Sequence, residues 1–303
     1  MRTSVKVGAP PVLSGITGIE GLFSMALDLP GDEVTVKRAD LPEQPLTCRV
    51  TGGSKVDKVR IERAVKKAIQ LYLDQRGSSL GIRAEVRLHK TFPQHLGEGV
   101  PAIVAALCGV DFIYTDRWPV HRLLPIALET ARAYCPEVAE ASVYASLLGG
   151  VVMDSGIVQE DERFHKVFMP DGMHIVLTQI PLEVVTISEN LSGRQEAKIL
   201  SQKVASFILG GMTGDWALLK QALKNKTAFS TGIKKKIYEG CIEKGAIGLG
   251  TSMARDSHLV YILCDNSSIA EDVSHWLQSI FPPSKHQKIP LISRIHPSGH
   301  QIF

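Results

Sequence analysis

The sequence predicts two domains, an α/β domain over residues 1–168 followed by an α+β domain over residues 169–303. Three observations carry this reading. The chain has 303 residues, 44% hydrophobic and 21% charged, which is globular composition with enough apolar material for two cores. Its first half alternates period-two and period-3.6 hydrophobic patterns. Its second half sets several helical stretches between separated strands, which suits helices returning onto one face of a mixed sheet.

In chain order, Val34-Thr35-Val36 and residues 46–50 read as short strands after the turn signal Leu29-Pro30-Gly31-Asp32. Residues 60–73 are helical: Ile61, Ala64, Val65, Ala68, Ile69 and Tyr72 recur at three- and four-residue steps, and Gly77 closes the segment. Ile82, Ala84, Val86 and Leu88 alternate with Arg83, Glu85 and Arg87, the pattern of a half-buried strand. A loop over 89–99 then opens an apolar helix near Pro101, a residue suited to a first helical turn. Helices over 123–134 and 138–148 lead to a strand over 149–153, and the acidic run Gln159-Glu160-Asp161-Glu162 reads as a surface turn near the domain boundary. Beyond it come a strand (173–180), helices (195–209, 215–223, 234–244), a strand (258–264), a helix (269–281) and a last strand near 291–295.

Thirty-four Lys+Arg against 31 Asp+Glu leave a net charge of +3, and no dense basic stripe with interleaved aromatics points to nucleic acid. Lys234-Lys235-Lys236 reads as a solvated helix face. Cys48, Cys108, Cys135, Cys241 and Cys264 are scattered without a C-x-x-C pair, so a reduced, cytoplasmic protein is expected. Residues 1–7 hold no signal-peptide core, and the longest apolar stretch, 100–114, is interrupted by Pro101, Gly109 and Asp111, so no membrane association is expected.

Few motifs carry chemistry by themselves. Leu96-Gly97-Glu98-Gly99-Val100-Pro101 enters a helix and reads either as a tight turn or as a loop presenting backbone N–H groups to phosphate. It is not a P-loop, because no Lys-Ser/Thr follows the second glycine. Gly245-Ala246-Ile247-Gly248-Leu249-Gly250 matches G-x-x-G-x-G without the strand-then-helix context of a dinucleotide site, and reads as a turn entering a strand. His89, His95, His121, His165 and His174 show no metal-ligand spacing, so no metal is assigned. No G-x-S-x-G elbow and no activated cysteine context appear.

The segments Val5-Lys6-Val7-Gly8-Ala9-Pro10, Ala26-Leu27-Asp28-Leu29-Pro30-Gly31-Asp32-Glu33-Val34, Leu96-Gly97-Glu98-Gly99, Ser146-Leu147-Leu148-Gly149-Gly150, Gly214-Asp215-Trp216-Ala217-Leu218-Leu219 and Glu243-Lys244-Gly245-Ala246-Ile247-Gly248 occur in this order along nearly the whole chain. In this it resembles homoserine kinase, of the GHMP small-molecule kinase superfamily that also holds galactokinase and mevalonate kinase. The resemblance implies a two-domain GHMP-kinase-like fold: an N-terminal α/β domain with a left-handed crossover and a C-terminal ferredoxin-like domain. It also implies ATP phosphates against a Gly-Leu-Gly-Ser-Ser loop, homoserine at the domain interface, and a homodimer.

Carried over residue by residue, the resemblance implies degenerate motifs. Gly15 stands where the substrate-binding Asn belongs and Gly21 where the active-site Asp belongs. The phosphate loop keeps Gly97 and Gly99, but Val100 and Pro101 replace its serines; Pro101 also removes a backbone donor. At the magnesium-binding Glu stands Ala131, with Glu129 or Glu140 as displaced substitutes, and Ala139, Ala141 and Ser142 fill the His-x-Asp-Asn positions. The Thr-x-x-x-Arg motif keeps Thr186 but has Asn190, and the third motif becomes Ser252-Met253-Ala254-Arg255-Asp256-Ser257.

The expectation is a homoserine kinase homologue that has lost efficient kinase activity, its inter-domain cleft retained or repurposed for another small molecule or reaction. The alternatives are a divergent homoserine kinase transferring the ATP γ-phosphate to homoserine, and a non-catalytic dimeric binding protein. Candidate catalytic groups are Glu20, Glu98, Arg255 and Asp256, since a carboxylate beside Arg or His can do acid–base work. Candidate binding residues are Gly15, Gly21, His95, Ser142, Thr186, Glu189 and Asn190, with Gly97, Gly99 and Ser252 for phosphate. ATP and Mg²⁺ enter only with the kinase alternative.

Overall fold

The computed structural model describes residues 3–16, 19–39, 44–89, 96–97, 99–156, 163–181, 193–223, 232–254, 257–281 and 290–302. In chain order the elements are β1 (Ser4–Ala9), β2 (Val12–Ile16), β3 (Ile19–Ala26), β4 (Asp32–Arg38), β5 (Thr47–Thr51), α1 (Lys55–Arg76), β6 (Ile82–Arg87), α2 (Val100–Ile113), α3 (Val120–Tyr134), α4 (Glu140–Leu148) and β7 (Val151–Asp154). There follow β8 (Phe164–Val167), β9 (His174–Pro181), α5 (Gly193–Thr213), α6 (Trp216–Leu223), α7 (Gly232–Glu243), β10 (Gly248–Ala254), β11 (Ser257–Cys264), α8 (Ser267–Ile280), β12 (Leu291–Arg294) and β13 (Gln301–Ile302). The chain divides into two compact units: Met1–Ser14 with Ser24–His165 and His296–Phe303, and Gly15–Phe23 with Lys166–Ile295. A further four-stranded sheet runs β2-β3-β7-β8.

The first unit is built on a five-stranded sheet of order β13-β1-β4-β6-β5. Its pairs are antiparallel except β5 with β6, which run parallel and are joined by α1, a crossover that parallel neighbours require. Helix α1 starts where its sequence says it should. Ser54 accepts from the Asp57 amide while Asp57 accepts from the Ser54 amide, a reciprocal capping box. Gly77 ends it at φ 64°, ψ 34°, the left-handed conformation that glycine adopts without a Cβ penalty. Its buried stripe, Ile61, Ala64, Val65, Ala68, Ile69, Tyr72 and Leu73, contains the six residues of the predicted period. Strand β6 alternates buried and exposed residues as expected.

Helix α2 is buried on every side and packs against β1 and β4. An all-round apolar helix needs such a position, and close approach is possible because residue 109 is glycine: a Cβ there would lie 2.6 Å from Val36 Cγ2. The tail returns to this unit at His296, whose amide donates to Ala26 O (2.9 Å) and whose carbonyl accepts from Gly150 N (2.6 Å). β13 then pairs with the edge of β1, placing Ile302 opposite Val7 and Gln301 opposite Gly8.

The second unit has a sheet of order β10-β11-β9-β12 with helices over it. Val176, Val260 and Ile262 from its strands meet Ile237, Cys241, Ala270, Val273 and Leu277 from α7 and α8. The expectation of a mixed sheet is corrected here: every pair is antiparallel. β10 and β11 pair from Ala254 opposite Ser257 outward, a hairpin, and β9 and β12 each lie against a neighbour of opposite direction.

Candidate functional site

The entry to α2 is the Gly-rich motif that leads into a helix, and both of its glycines are described. Gly97 and Gly99 both hold positive φ, 87° and 96°. A Cβ on Gly99 would lie 2.1 Å from Ile61 Cδ1 and 3.4 Å from Cys135 Sγ, so the loop is pressed onto α1 and the end of α3 and admits only glycine. A helix N-terminus binds anions through the amides of its first turn. Here the Val100 amide donates to Gly97 O at 2.7 Å, Pro101 has no N–H, and Ile103 N donates to Gly99 O at 3.1 Å. Ala102 is the one first-turn residue whose amide has no partner among the described residues. Val100, Pro101 and Ala102 are all buried, and none carries a hydroxyl.

The carboxylates offered as displaced metal ligands are otherwise engaged. Glu140, in the first turn of α4, receives Arg132 Nε at 2.5 Å on one oxygen and Arg163 Nη1 at 2.7 Å on the other. The hydrogen bond from Arg132 leads, over the opposing effect of burial, in holding its pKa below the usual carboxylate value. Glu129 is exposed on α3, 4.0 Å from Lys67 Nζ. Among the described residues no group of three or more His, Cys, Asp or Glu gathers as a metal set. Among the described residues, then, neither displaced carboxylate belongs to a set of groups that could hold Mg²⁺.

Ser142 is fully buried, with its hydroxyl 3.0 Å from that of Ser24. Gly15 lies in β2, Glu20 and Gly21 in β3, and Ser252 in β10 opposite Leu259. His95, Glu98, Thr186, Glu189, Asn190, Arg255 and Asp256 lie outside the described residues, as does the acidic run 159–162. None of the five cysteines is in a disulfide. Burial pushes the Cys48 and Cys264 thiols up to about 12 and those of Cys108 and Cys241 higher still, the opposite of an activated nucleophile.

Sequence reasoning missed a cavity of about 310 Å³ in the first unit. Its walls are Gly8–Pro10, Asp28–Gly31, Glu33, and His296 and Gln301 of the tail. Beside it Asp32 accepts from His89 N at 3.1 Å, and burial raises its carboxyl to about 6. The signal in the sequence was the acidic Asp28-Leu29-Pro30-Gly31-Asp32-Glu33 turn; nothing in it indicated that the tail lies alongside.

No protein-family model and no curated protein sequence matches the chain. Solved structures do. Homoserine kinase from Cytophaga hutchinsonii superposes with a TM-score of 0.83 at 20% identity, over 100% of this chain and 98% of that one. A putative homoserine kinase from Listeria monocytogenes gives 0.65 at 15% identity, over 99% of each chain. The mevalonate kinase of L. major, solved with R-mevalonate, gives 0.66 at 14%, over 99% of this chain and 97% of that one. The chain thus has the two-domain GHMP-kinase-like fold. Within that class the most extensive of these three likenesses is to a homoserine kinase, and at these identities likeness extends to the fold alone.

Proposed function

We propose that the protein is a small-molecule-binding member of the GHMP-kinase fold class in which phosphoryl transfer is lost or greatly weakened. The observation that carries this reading is the α2 entry: one first-turn amide is turned onto Gly97 O, the next is a proline, and no hydroxyl follows. Phosphoryl transfer rests on positioning and on donors and metal that neutralise phosphate charge, and loss of one such donor costs about 10²–10³ in rate. The engagement of Glu140 by two guanidinium groups supports the same reading. Glu20, Glu98, Arg255 and Asp256 are the polar groups proposed for a replacement chemistry, and Thr186 for substrate contact. A cytoplasmic homodimer belongs to the same reading.

Calorimetric titration with Mg-ATP, run beside a homoserine phosphorylation assay, tests it. Weak or absent nucleotide binding with no turnover is expected; robust turnover overturns it. The second reading, a divergent homoserine kinase, draws on the whole-length superposition at a TM-score of 0.83 and on the two retained loop glycines.

A further inference from the structure

We infer that the tail, residues 296–302, is an acid-released strap: protonation of the His300 ring lifts its outer part from the edge of β1 while the rest of the first unit stays folded. The device lies within one unit and does not depend on whether nucleotide binds.

The root and the tip of the tail are held differently. At the root, the His296 amide donates to Ala26 O at 2.9 Å and the His296 carbonyl accepts from Gly150 N at 2.6 Å. The His296 ring is engaged inside the tail, accepting from Gln301 Nε2 at 2.7 Å and donating to Ser298 O. At the tip, β13 is only Gln301 and Ile302, both exposed, paired to the edge of β1. A terminal strand so short frays readily unless something pins it. His300 is the pin. Its ring lies edge-on against Phe112, 6.0 Å between centroids, and makes a hydrogen bond with the Leu147 backbone. The backbone beside it has no slack: a Cβ on Gly299 would stand 1.8 Å from Leu147 O, and one on Gly149 2.3 Å from the Ser298 carbonyl carbon. Departure of the ring therefore carries Gln301 and Ile302 with it.

A second ring proton has no acceptor in the closed tail. His300 Nδ1 is buried and has no partner among the described residues. The charged groups on the elements around it are already committed. On α2, Asp111 Oδ1 takes the Tyr72 hydroxyl and the Trp118 amide and lies 3.9 Å from Arg76. Just beyond α2, the Arg117 guanidinium sits 3.7 Å over the same Phe112 ring and adds positive charge. On α4, Glu140 is taken by Arg132 and Arg163; on β1, Lys6 is paired with Glu33. Burial accordingly prevails over the Leu147 bond and the Asp111 charge, and the closed tail resists the proton. Once released into water, the ring takes it at an ordinary histidine value, so acid favours the open tail. Opening uncovers the backbone edge of β1 and removes Gln301 from the wall of the cavity over Gly8.

Hydrogen exchange on the full chain, read by mass spectrometry at about pH 7.5 and pH 5 and corrected for the intrinsic pH dependence of exchange, tests this. Protection of the peptide 296–303 should fall about 5–30-fold at the lower pH, about 30-fold being the ceiling for a histidine whose released pKa is about 6.5. Peptides from α1 should keep their protection. His300→Phe, which still packs on Phe112 but does not titrate, should show equal tail protection at both pH values, as should the smaller, polar His300→Asn. The inference is overturned if the parent tail is equally protected at both pH values, if α1 loses protection in step with the tail, or if both variants lose tail protection as the parent does.

Discussion

The Tyr72 hydroxyl donates to Asp111 Oδ1 at 2.8 Å, joining α1 to α2 inside the first core. Asp111 is 3% exposed and receives the Trp118 amide on the same oxygen at 2.9 Å. Arg76 donates to the Tyr72 oxygen at 2.7 Å and lies over the Tyr114 ring at 4.0 Å. Burial, and then the Asp111 hydrogen bond and charge, drive the phenol pKa far upward, so it remains a donor at any working pH. Tyr72→Phe leaves the carboxylate with the Trp118 amide and a more distant Arg76, and should cost about 1–3 kcal/mol. Asp111→Ala strips the acceptor from two buried donors and should cost more. Urea unfolding of both variants gives the comparison; an unchanged midpoint for Tyr72→Phe would show that the network contributes nothing to stability.

Asp32 supplies a pH-dependent test. Its folded pKa, about 6, stands above the ordinary aspartate value of 3.8 because burial outweighs its hydrogen bond from His89 N. Between those values the folded state holds a proton that the unfolded state has released, so stability falls as pH rises through this window. The penalty is complete above about pH 6. Asp32→Asn keeps an acceptor oxygen and removes the charge. It should be more stable than the parent by about 1–3 kcal/mol at neutral pH, with the gap closing toward pH 4. Urea midpoints of the two proteins across that range check it, and a gap independent of pH would contradict the buried-charge account.

How far the sequence reached follows from which residues the fold brings together. Helix α1 and strand β6 were legible because each buries one face against a neighbour, so Ile61 to Tyr72 and Ile82 to Val86 display the period of their own geometry. β1, β2 and β3 were not identified as strands, since Gly8, Pro10, Gly15 and Gly21 punctuate a run whose partners lie elsewhere in the chain. β13 is two residues long and exists only because β1 offers an open edge. The glycines of the α2 entry were legible as punctuation, but the engagement of the Val100 amide by Gly97 O is a fact of local geometry that no residue letter carries. The cavity over Gly8 was hidden for a stronger reason: His296 and Gln301 reach Asp28 and Glu33 only through tertiary structure.

His300 makes the tail sensitive to acid. Its ring packs edge-on against Phe112, 6.0 Å between centroids, and its Nδ1 is buried with no partner among the described residues. Burial lowers its pKa below 6.5, against the opposing effects of a hydrogen bond with the Leu147 backbone and the charge of Asp111. The folded state therefore resists a proton that the unfolded state accepts, and stability declines as pH falls through the unfolded value of about 6.5. His300→Phe should flatten the acid limb of the stability profile below that point, even though it gives up the Leu147 contact. Parallel urea titrations on either side of pH 6.5 read this out, and identical acid limbs would show that His300 is not the responsible group.

The α2 entry can be tested by restoring what it lacks. Pro101→Ser returns one amide N–H and one hydroxyl to the first turn of a helix whose N-terminus already attracts negative charge. It surrenders the proline's preorganised φ at an early helical position, a modest loss of stability of under about 1 kcal/mol. One recovered charge-assisted donor contributes about 1–2 kcal/mol, so affinity for pyrophosphate should rise about 5–30-fold over the parent. Calorimetry with pyrophosphate, then with Mg-ATP, separates two cases. A gain for pyrophosphate alone points to the metal and base contacts as the remaining limit, whereas a gain for both puts the missing donor at the centre of the loss of activity proposed above. Equal binding by Pro101→Ser and the parent would show that this turn does not limit phosphate recognition.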